Sequence, residues 1–307
     1  MSPLINLLKL KAWVSAARLR TLPLSVSGIL VGTSLATIEG FENGLIFLFA
    51  ILTTLGLQIT SNFANDYGDG VKGTDNSNRI GPKRALQSGA LSKNELKKGI
   101  VVSVVITALL IAVLLYLAFE NEIGYIVLFG VLGAISLWAA IRYTVGEKAY
   151  GYRGLGDVFV FCFFGLVSVL GSMFLFTKYI TLYAFLPGVT IGLLSTAVLN
   201  LNNLRDYHSD KEVKKNTLVV FLGLKNGKRY HYVLIAVSFL CMVLFLMNQP
   251  FQWQHVICMI AFVPLLLHVI KVYHIKDPMQ FDPELKKVAL STFLLAVLFY
   301  LGFNIFL

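Results

Sequence analysis

Residues 44–70 read GLIFLFAILTTLGLQITSNFANDYGDG, an apolar run that ends in a cluster of amides and carboxylates. The apolar part, residues 44–63, has the length of about 20 residues that a helix needs to cross a bilayer. At 3.6 residues per turn, Asn62, Asp66 and Asp69 fall on one face where this helix continues. Carboxylates at the end of a membrane helix are costly unless a cation holds them, so the segment indicates a binding site.

A second segment nearly repeats this polar end, 140 residues further along the chain. Residues 202–210 read NNLRDYHSD and follow another apolar run, and both segments contain the pattern Asn-x-x-x-Asp-Tyr. Asn202, Asp206 and Asp210 again share one helical face. If the two clusters face each other, their carboxylates could bind two hard divalent cations and, through them, a diphosphate.

Apolar runs recur along all 307 residues of the chain, which is 57 % hydrophobic and 14 % charged, with a mean hydropathy of +0.75. This composition excludes an ordinary soluble globule. Because backbone groups in lipid must be satisfied internally, the runs predict an all-α polytopic membrane protein. We expect nine transmembrane helices in a bundle around a central cavity that is open to the cytoplasmic side. The predicted spans are residues 22–38, 44–63, 100–118, 123–141, 157–176, 182–201, 230–247, 253–272 and 288–306.

Lysine and arginine residues set the predicted orientation of these helices. With the N-terminus in the cytoplasm, every Lys and Arg except Lys178 lies in a cytoplasmic loop or flank, and the C-terminus lies outside. The net charge of +10 is therefore a topology signal spread over short loops, which argues against a nucleic-acid partner. We expect a multi-pass protein of the cell inner (cytoplasmic) membrane, in contact with membrane lipid and with its active-site loops in the cytoplasm.

The chain divides into residues 1–20, expected to form an interfacial N-terminal helix, and residues 21–307, expected to form a single transmembrane domain. In the first part, apolar residues such as Trp13 and Val14 alternate with basic ones such as Lys11, which suits the membrane interface. Simple anchoring by positive charge explains the same residues equally well.

The first polar segment, residues 65–75 (NDYGDGVKGTD), resembles the NDxxDxxxD signature of the UbiA superfamily of intramembrane aromatic prenyltransferases. The second, residues 206–217, resembles the DxxxD motif of that family with its downstream Lys and Thr. The third acid of the first signature is replaced by Gly73, and Asp75 follows two residues later. Nine helices with acid motifs after the second and sixth are typical of the family, so the resemblance covers essentially the whole chain.

Three further stretches refine the resemblance. Residues 18–23 (RLRTLP) look like the start of the first helix in the family. Residues 79–89 (RIGPKRALQSG) and 143–165 (YTVGEKAYGYRGLGDVFVFCFFG) are similar to the branch that prenylates 1,4-dihydroxy-2-naphthoate. Members of that branch also carry an acid at the position of Asp75, so the departure at Gly73 supports this branch.

The resemblance implies transfer of a polyprenyl group from polyprenyl diphosphate to 1,4-dihydroxy-2-naphthoate in menaquinone biosynthesis. Diphosphate and CO₂ are lost, and demethylmenaquinol or demethylmenaquinone is formed. A diphosphate is a hard polyanion, which suits Mg²⁺ as the cofactor. The implied metal ligands are Asn65, Asp66, Asp69, Asn203, Asp206 and Asp210. The implied catalytic residues are Asp66, Asp69, Asp206, Asp210, Tyr143 and Asp157. The implied diphosphate-binding residues are Lys72, Arg84, Lys148, Arg153, Arg205 and Lys215.

An allylic cation formed when diphosphate departs needs a dry pocket with aromatic faces, since a desolvated cation–π contact contributes up to ~2 kcal/mol. The aromatic residues expected to line such a pocket are Tyr67, Tyr143, Tyr152, Phe159, Phe163 and Tyr207.

Other interpretations stay open. The acceptor could instead be 4-hydroxybenzoate or homogentisate, with the same chemistry. A secondary transporter also has duplicated bundles with intramembrane acids, but its acids lie near the bilayer midplane, whereas these lie at helix ends. A phospholipid head-group transferase would keep its acids in one contiguous motif. Asp157, at the start of a predicted helix, could simply be a first-turn acid that the helix dipole favours.

Overall fold

The helices of the protein are seen in a computed structural model that describes residues 3–75, 81 and 83–305. These ranges contain helices and loops and no β-strand. The helices are α1 Pro3–Ala17, α2 Leu22–Ile38, α3 Gly44–Lys72, α4 Lys93–Phe119, α5 Ile123–Arg142, α6 Gly156–Thr177, α7 Phe185–Arg205, α8 Tyr207–Glu212, α9 Leu218–Met247, α10 Trp253–His274 and α11 Asp282–Asn304. Short 3₁₀ turns precede four of them, at Leu19–Thr21, Tyr150–Tyr152, Leu182–Ala184 and Pro278–Phe281.

Nine helical segments of the described chain are long and apolar enough to cross a membrane, and they lie at the nine predicted positions. The all-α, polytopic membrane fold is therefore confirmed. The helices continue beyond the apolar runs at their polar ends. α3 passes through its amide and carboxylate cluster to Lys72, where Gly73, at φ 73°, ends the helix. α4 begins at a capping box in which Ser92 and Glu95 bind each other's backbone N–H.

The centre of the bundle is formed by α2 and α7. α2 packs against α3, α6, α7 and α11, so the first and last membrane helices meet. α7 packs against α6, α9 and α11. Their fully buried side chains, which include Val31, Leu35, Ile191 and Leu194, form one apolar core with residues of α9, α10 and α11. This core holds α7, the helix that carries the second polar segment, whereas the buried apolar residues of α3 belong to two smaller clusters.

α6 and α7 approach each other closely through glycine. A Cβ atom on Gly165 would lie 2.5 Å from Cα of Gly192 and 2.7 Å from the carbonyl oxygen of Gly188. Within α6, residues Phe161–Val167 form a π-helical segment. Such segments rotate the following side chains relative to a regular helix and are frequent at functional sites. Here the segment carries Phe163, which faces the central cavity described below.

The N-terminal helix α1 packs on the bundle by its alanine side. Trp13 contacts Phe63 of α3 edge to face, with ring centroids 5.2 Å apart, and Ala12 and Ala16 are buried beside it. Val14 is exposed on the opposite side. Trp13 is half-buried, with Phe63 as its partner in the bundle. The interfacial position of residues 1–20 stays a prediction.

Candidate functional site

A cavity of about 820 Å³ lies inside the bundle. Its volume is in the range of ligand-binding pockets. Its polar wall comes from the helix ends and loops that carry the two acid segments. Polar lining residues include Arg18, Arg20, Asn62, Asn65, Asp69, Arg84, Asn202, Arg205, Lys215 and Asp282. Its apolar wall comes from the middle of the helices. Apolar lining residues include Leu57, Ile111, Leu114, Phe129, Leu132, Phe163, Val167 and Leu175. The cavity can therefore take a molecule with a charged head and an apolar tail.

Asp69 is the carboxylate of the first segment that lines the cavity. Its Oδ1 accepts a 2.7 Å hydrogen bond from the hydroxyl of Tyr152, which also lies 2.6 Å from Oγ1 of Thr74. Asn65, one helical turn earlier, lines the same wall, and its Oδ1 accepts a 3.1 Å bond from Thr144. Oδ2 of Asp69 accepts no hydrogen bond from the described residues, so this oxygen is available to a ligand.

Asp66 shares the helix but has a different environment. It is fully buried and is absent from the cavity wall. Its Oδ2 accepts a 3.0 Å hydrogen bond from the backbone N–H of Ala85, and its Oδ1 accepts a 3.2 Å bond from that of Leu86. Asp66 therefore fastens the loop after α3 to the helix, with both carboxylate oxygens engaged.

In the second segment, Arg205 holds Asp206 in a bidentate pair. Nε of Arg205 donates to Oδ1 of Asp206 over 2.8 Å, and Nη2 donates to Oδ2 over 2.7 Å. Nη1 donates to Asp282 at the start of α11 over 2.6 Å, and Nη2 also donates to Oδ1 of Asn202 over 2.7 Å. The guanidinium of Arg205 therefore joins the ends of α7 and α11 at the cavity wall.

Asp210, one turn after Asp206, pairs with Lys215, whose Nζ lies 3.3 Å from its Oδ1. Burial raises the pKa of Asp210 to about 6; the Lys215 ammonium opposes this shift, and the carboxylates of Asp206 and Asp69 reinforce it. Burial lowers the pKa of Lys215, but the carboxylates of Asp210 and Asp69 outweigh burial and raise it above its ordinary value. The two acid segments therefore face each other across one buried ammonium group. Oδ2 of Asp210 is buried without a hydrogen-bond partner.

Tyr143, the residue after α5, lies in the cavity wall. Burial raises the pKa of Tyr143 to about 12, so its hydroxyl stays protonated and can donate a hydrogen bond. Asp157, in the first turn of α6, is 5 % exposed. Its Oδ1 has no hydrogen-bond partner. Asn203 is buried in α7 and does not line the cavity.

Three aromatic rings follow one another along the wall. Tyr150 stacks on Phe159 with centroids 3.9 Å apart, and Phe159 is followed by Phe163 at 6.0 Å, nearly parallel. Of the six expected lining aromatics, Tyr143, Phe159 and Phe163 line the cavity. The other three, Tyr67, Tyr152 and Tyr207, do not.

The six basic residues expected to bind diphosphate divide into three groups. Arg84, Arg205 and Lys215 line the cavity. Lys72 and Arg153 instead line a smaller neighbouring cavity, together with Tyr152. Lys148 is exposed and lines neither of them. Within the stretch 79–89, residues 79, 80 and 82 lie outside the described residues.

Several site residues were missed by sequence reasoning. Arg18 and Arg20 line the cavity from the turn before α2, and Arg18 adopts a left-handed backbone at φ 52°. Their position in the stretch 18–23 is the signal that could have identified them. Asp282 was also missed, because it lies ahead of the last apolar run and matches no motif.

The side chains of the acid segments supply only part of the ligands that a hard cation needs. Within the described ranges, no group of three or more His, Cys, Asp and Glu side chains is arranged to hold a metal ion. Mg²⁺, however, is usually held by one or two carboxylates together with phosphate oxygens and water. Among the described residues, Oδ2 of Asp69 accepts no hydrogen bond, and Oδ2 of Asp210 is buried without a partner. Asp210 pairs with Lys215, which lines the same cavity as Asp69. The donor set therefore fits a cation that arrives with a phosphate ligand.

Comparisons with known proteins agree on one family. The sequence profile of the UbiA prenyltransferase family matches residues 25–294. The chain is 43 % identical over 297 residues to 1,4-dihydroxy-2-naphthoate octaprenyltransferase from Haemophilus influenzae, covering 96 % of both chains. It is also 43 % identical to the protein of the same name from Escherichia coli, covering 95 % of this chain and 94 % of that one.

Solved structures show the same fold at low identity. The apo structure of a UbiA homolog from Aeropyrum pernix superposes with a TM-score of 0.66 at 15 % identity, covering 94 % of this chain and 98 % of that one. A UbiA homolog from Archaeoglobus fulgidus, bound to DMAPP and Mg²⁺, gives a TM-score of 0.60 at 12 % identity, covering 94 % and 99 %. With the profile match over most of its length, the chain belongs to the UbiA prenyltransferase family.

Proposed function

We propose that the protein transfers a polyprenyl group from polyprenyl diphosphate to 1,4-dihydroxy-2-naphthoate, with loss of diphosphate and CO₂, to form demethylmenaquinol. The acceptor is supported by the names of the two relatives at 43 % identity, which match this chain over nearly its whole length. The donor class is supported by the family itself and by the related structure bound to DMAPP and Mg²⁺.

The observation that carries this proposal is the two-part wall of the 820 Å³ cavity. A prenyl diphosphate is a polyanion joined to an apolar chain. Asp69 of the first acid segment and the cations Arg205 and Lys215 of the second match the head, whereas Asp206 and Asp210 do not line the cavity. The apolar middle of the helices matches the tail. In this proposal the bond between head and tail lies next to the aromatic wall, and the presence of Tyr150, Phe159 and Phe163 in the same cavity supports this.

We further propose which residues would hold Mg²⁺. Asp69 and Asp210 are the first candidates because each has a carboxylate oxygen without a hydrogen bond, and Asn65 lies beside Asp69 in the wall. Asp66, Asn203 and Asp206 stay in the proposed ligand set, although Asp66 and Asp206 already hold backbone amides and Arg205. When bound, Mg²⁺ would supply positive charge that stabilises the departing diphosphate.

The protein's own cations bind the same anion in this proposal. Lys215, Arg205 and Arg84 all lie in the polar wall, and Lys215 is held charged by the carboxylates around it. Charge-assisted contacts of this kind stabilise a leaving group where its charge develops. The rings of Phe159 and Phe163 present aromatic faces to a developing allylic cation and exclude water from it.

Two groups are proposed to act near the acceptor. Tyr143 keeps its proton and can donate a hydrogen bond into the cavity, and Asp157 lies in the adjacent first turn of α6. Their proximity follows from Gly156, the residue before Asp157, where a Cβ atom would lie 3.2 Å from the hydroxyl oxygen of Tyr143.

The family and the nine apolar helices found in the described part of the chain make this a multi-pass membrane protein. We propose that it lies in the cytoplasmic membrane, with its N-terminus, both acid segments and the cavity mouth on the cytoplasmic side and its C-terminus outside. The Lys and Arg distribution supports this orientation. We also propose residues 1–20 as an interfacial segment and residues 21–307 as one catalytic domain.

Product analysis by mass spectrometry tests the proposal. Membranes containing the protein receive Mg²⁺, a long prenyl diphosphate and either 1,4-dihydroxy-2-naphthoate or 4-hydroxybenzoate, and a parallel sample contains EDTA. We expect a prenylated, decarboxylated naphthoquinol that disappears with EDTA. Product formed only from 4-hydroxybenzoate would overturn the acceptor, and no product from either ring would overturn the transferase assignment.

A further inference from the structure

A second cavity, of about 440 Å³, lies beside the first at the polar end of the bundle. Three connections enclose it: the end of α3 with the residues that follow, the loop between α5 and α6, and the loop after α8. Its wall consists of Lys72, Thr74, Glu147, Ala149, Tyr152, Arg153, Val213, Lys214 and Asn216. Two of these loops continue directly from the acid segments, so the cavity is part of the same face of the protein.

The wall of this second cavity is strongly basic. Lys72, Arg153 and Lys214 face a single acid, Glu147. No salt bridge joins any of these three cations to a carboxylate within the part of the chain that the structure describes. Neighbouring positive charges repel one another, so an arrangement of three cations around a polar cavity favours an anionic ligand.

Tyr152 is the wall that separates the two cavities. Its hydroxyl binds Asp69, which lines the first cavity, and its ring lines the second. Two ammonium groups lie over this ring: Nζ of Lys72 at 3.9 Å from the centroid, and Nζ of Lys215 at 5.6 Å. Lys215 belongs to the first cavity and Lys72 to the second. Positive charge is therefore continuous from the acid segments, past Tyr152, to the protein surface.

We propose that the second cavity binds the inorganic diphosphate that the transfer reaction releases, as a separate site on its way to the cytoplasm. This inference rests on the proposed function, because the reaction supplies the ligand. Arg153 and Lys214 are its main contacts, since charge-assisted hydrogen bonds to phosphate oxygens are the strong ones. The headgroup of an anionic lipid offers the same phosphate chemistry, and the test separates the two sources.

Binding of radiolabelled inorganic diphosphate to the purified protein, in nanodiscs of phosphatidylcholine with Mg²⁺, tests this site. We expect two classes of site in the unmodified protein. The double variant Arg153→Ala/Lys214→Ala should lose one class, with binding at least about tenfold weaker, as expected for the loss of charged hydrogen bonds. Lys211→Ala is the matched control, because Lys211 is exposed on α8 and lines neither cavity, and it should retain both classes.

A second variant separates this proposal from the proposed function. Asp69→Asn removes a carboxylate of the first cavity and should weaken the other class of site while the class that depends on Arg153 and Lys214 remains. One class in the unmodified protein, unchanged by the double variant, would overturn the second site. Loss of prenyl transfer activity in all samples, with both classes still present, would overturn the proposed function and leave the diphosphate site standing.

The lipid source is tested by repeating the titration in nanodiscs that contain phosphatidylglycerol. We expect the same diphosphate affinity at the second cavity as in phosphatidylcholine. Phosphatidylglycerol could instead lower the diphosphate affinity of this class about tenfold, with no such effect in the double variant. That result would show that lipid headgroups occupy the cavity, and it would overturn the assignment of the cavity to released diphosphate.

Discussion

Arg205 and Asp206 are neighbours in sequence and form two parallel hydrogen bonds with each other, of 2.8 and 2.7 Å. The same guanidinium donates to Asp282, so the last turn of α7 is joined to the first turn of α11. Arg205 is 3 % exposed and lines the cavity. One side chain thus orients an acid of the second segment and closes one side of the polar wall.

Replacement of Arg205 by Lys tests this arrangement. A lysine keeps the charge but cannot donate to both oxygens of Asp206 and to Asp282 in one plane. Because each lost hydrogen bond to a charged group costs about 1.5–3 kcal/mol, we expect Arg205→Lys to lower the melting temperature and to reduce prenyl transfer at least tenfold. Thermal unfolding in detergent and product formation in membranes measure both effects. Arg229→Lys, at an exposed arginine of α9, should change neither.

Asp66 and Asp69 share a helical face, yet the structure predicts different effects when each is replaced by asparagine. Asp69→Asn leaves an oxygen that can still accept from Tyr152, so its loss of stability should be smaller than the roughly 1–3 kcal/mol of an unsatisfied buried donor. Turnover should fall at least about a hundredfold, since this is the carboxylate that lines the cavity. Product formation and melting temperature, measured on the same preparation, check this prediction.

Asp66→Asn removes one of two acceptors for the N–H groups of Ala85 and Leu86. An unsatisfied buried donor costs about 1–3 kcal/mol, so we expect this variant to melt several degrees lower. The loop after α3 should also become more sensitive to proteolysis. Equal melting temperatures for the Asp66 and Asp69 variants would contradict the anchoring role of Asp66.

The membrane helices could be predicted from sequence because each apolar run carries its own signal of length and composition. The positions of the two acid segments at helix ends followed from the same runs. The sequence could not tell which acid lines the cavity. Asp66 and Asp69 are one turn apart, and the choice depends on the path of the loop that brings Ala85 and Leu86 to Asp66.

Contacts between distant helices were also beyond sequence reasoning. His231, His268 and Glu284 lie on α9, α10 and α11, and no spacing along the chain relates them. All three are fully buried and form one hydrogen-bonded chain. Lys72 and Arg153 were expected to bind diphosphate, and only the fold shows that they line the smaller cavity.

The close approach of α6 and α7 predicts a steric effect at Gly165. A methyl group there would lie 2.5 Å from Cα of Gly192, and backbone atoms cannot move aside as a side chain can. Overpacking costs about 1–3 kcal/mol, so Gly165→Ala should lower the melting temperature by several degrees. Gly171→Ala is the control on the same helix, because its nearest neighbour, a ring atom of Phe129, would be 3.9 Å away. A Gly165→Ala protein as stable as the control would contradict this packing.

The hydrogen bonds among the buried residues His231, His268 and Glu284 predict that a loss of fold stability here also affects the polar wall of the first cavity. Nε2 of His268 lies 2.8 Å from Nε2 of His231, and its Nδ1 lies 2.7 Å from Oε2 of Glu284. Glu284 is in the same first turn of α11 as Asp282, which holds Arg205. His268→Leu leaves Nε2 of His231 and Oε2 of Glu284 without this partner, while Oε1 of Glu284 keeps its ion pairs with Lys271 and Lys287. The two orphaned atoms should cost about 1–3 kcal/mol each.

We expect this loss to reach the site through α11. When the first turn of α11 loosens, Asp282 no longer fixes Arg205, so residual activity should require more Mg²⁺ for half-maximal turnover. Glu284→Gln, which can still accept from His268, should retain most of the stability. His274→Leu, at an exposed histidine at the end of α10, is the matched control. If His268→Leu lowers stability but leaves the Mg²⁺ requirement unchanged, the hydrogen-bonded residues His231, His268 and Glu284 contribute only to packing. The expected link between stability and the Mg²⁺ requirement runs through Asp282 and Arg205.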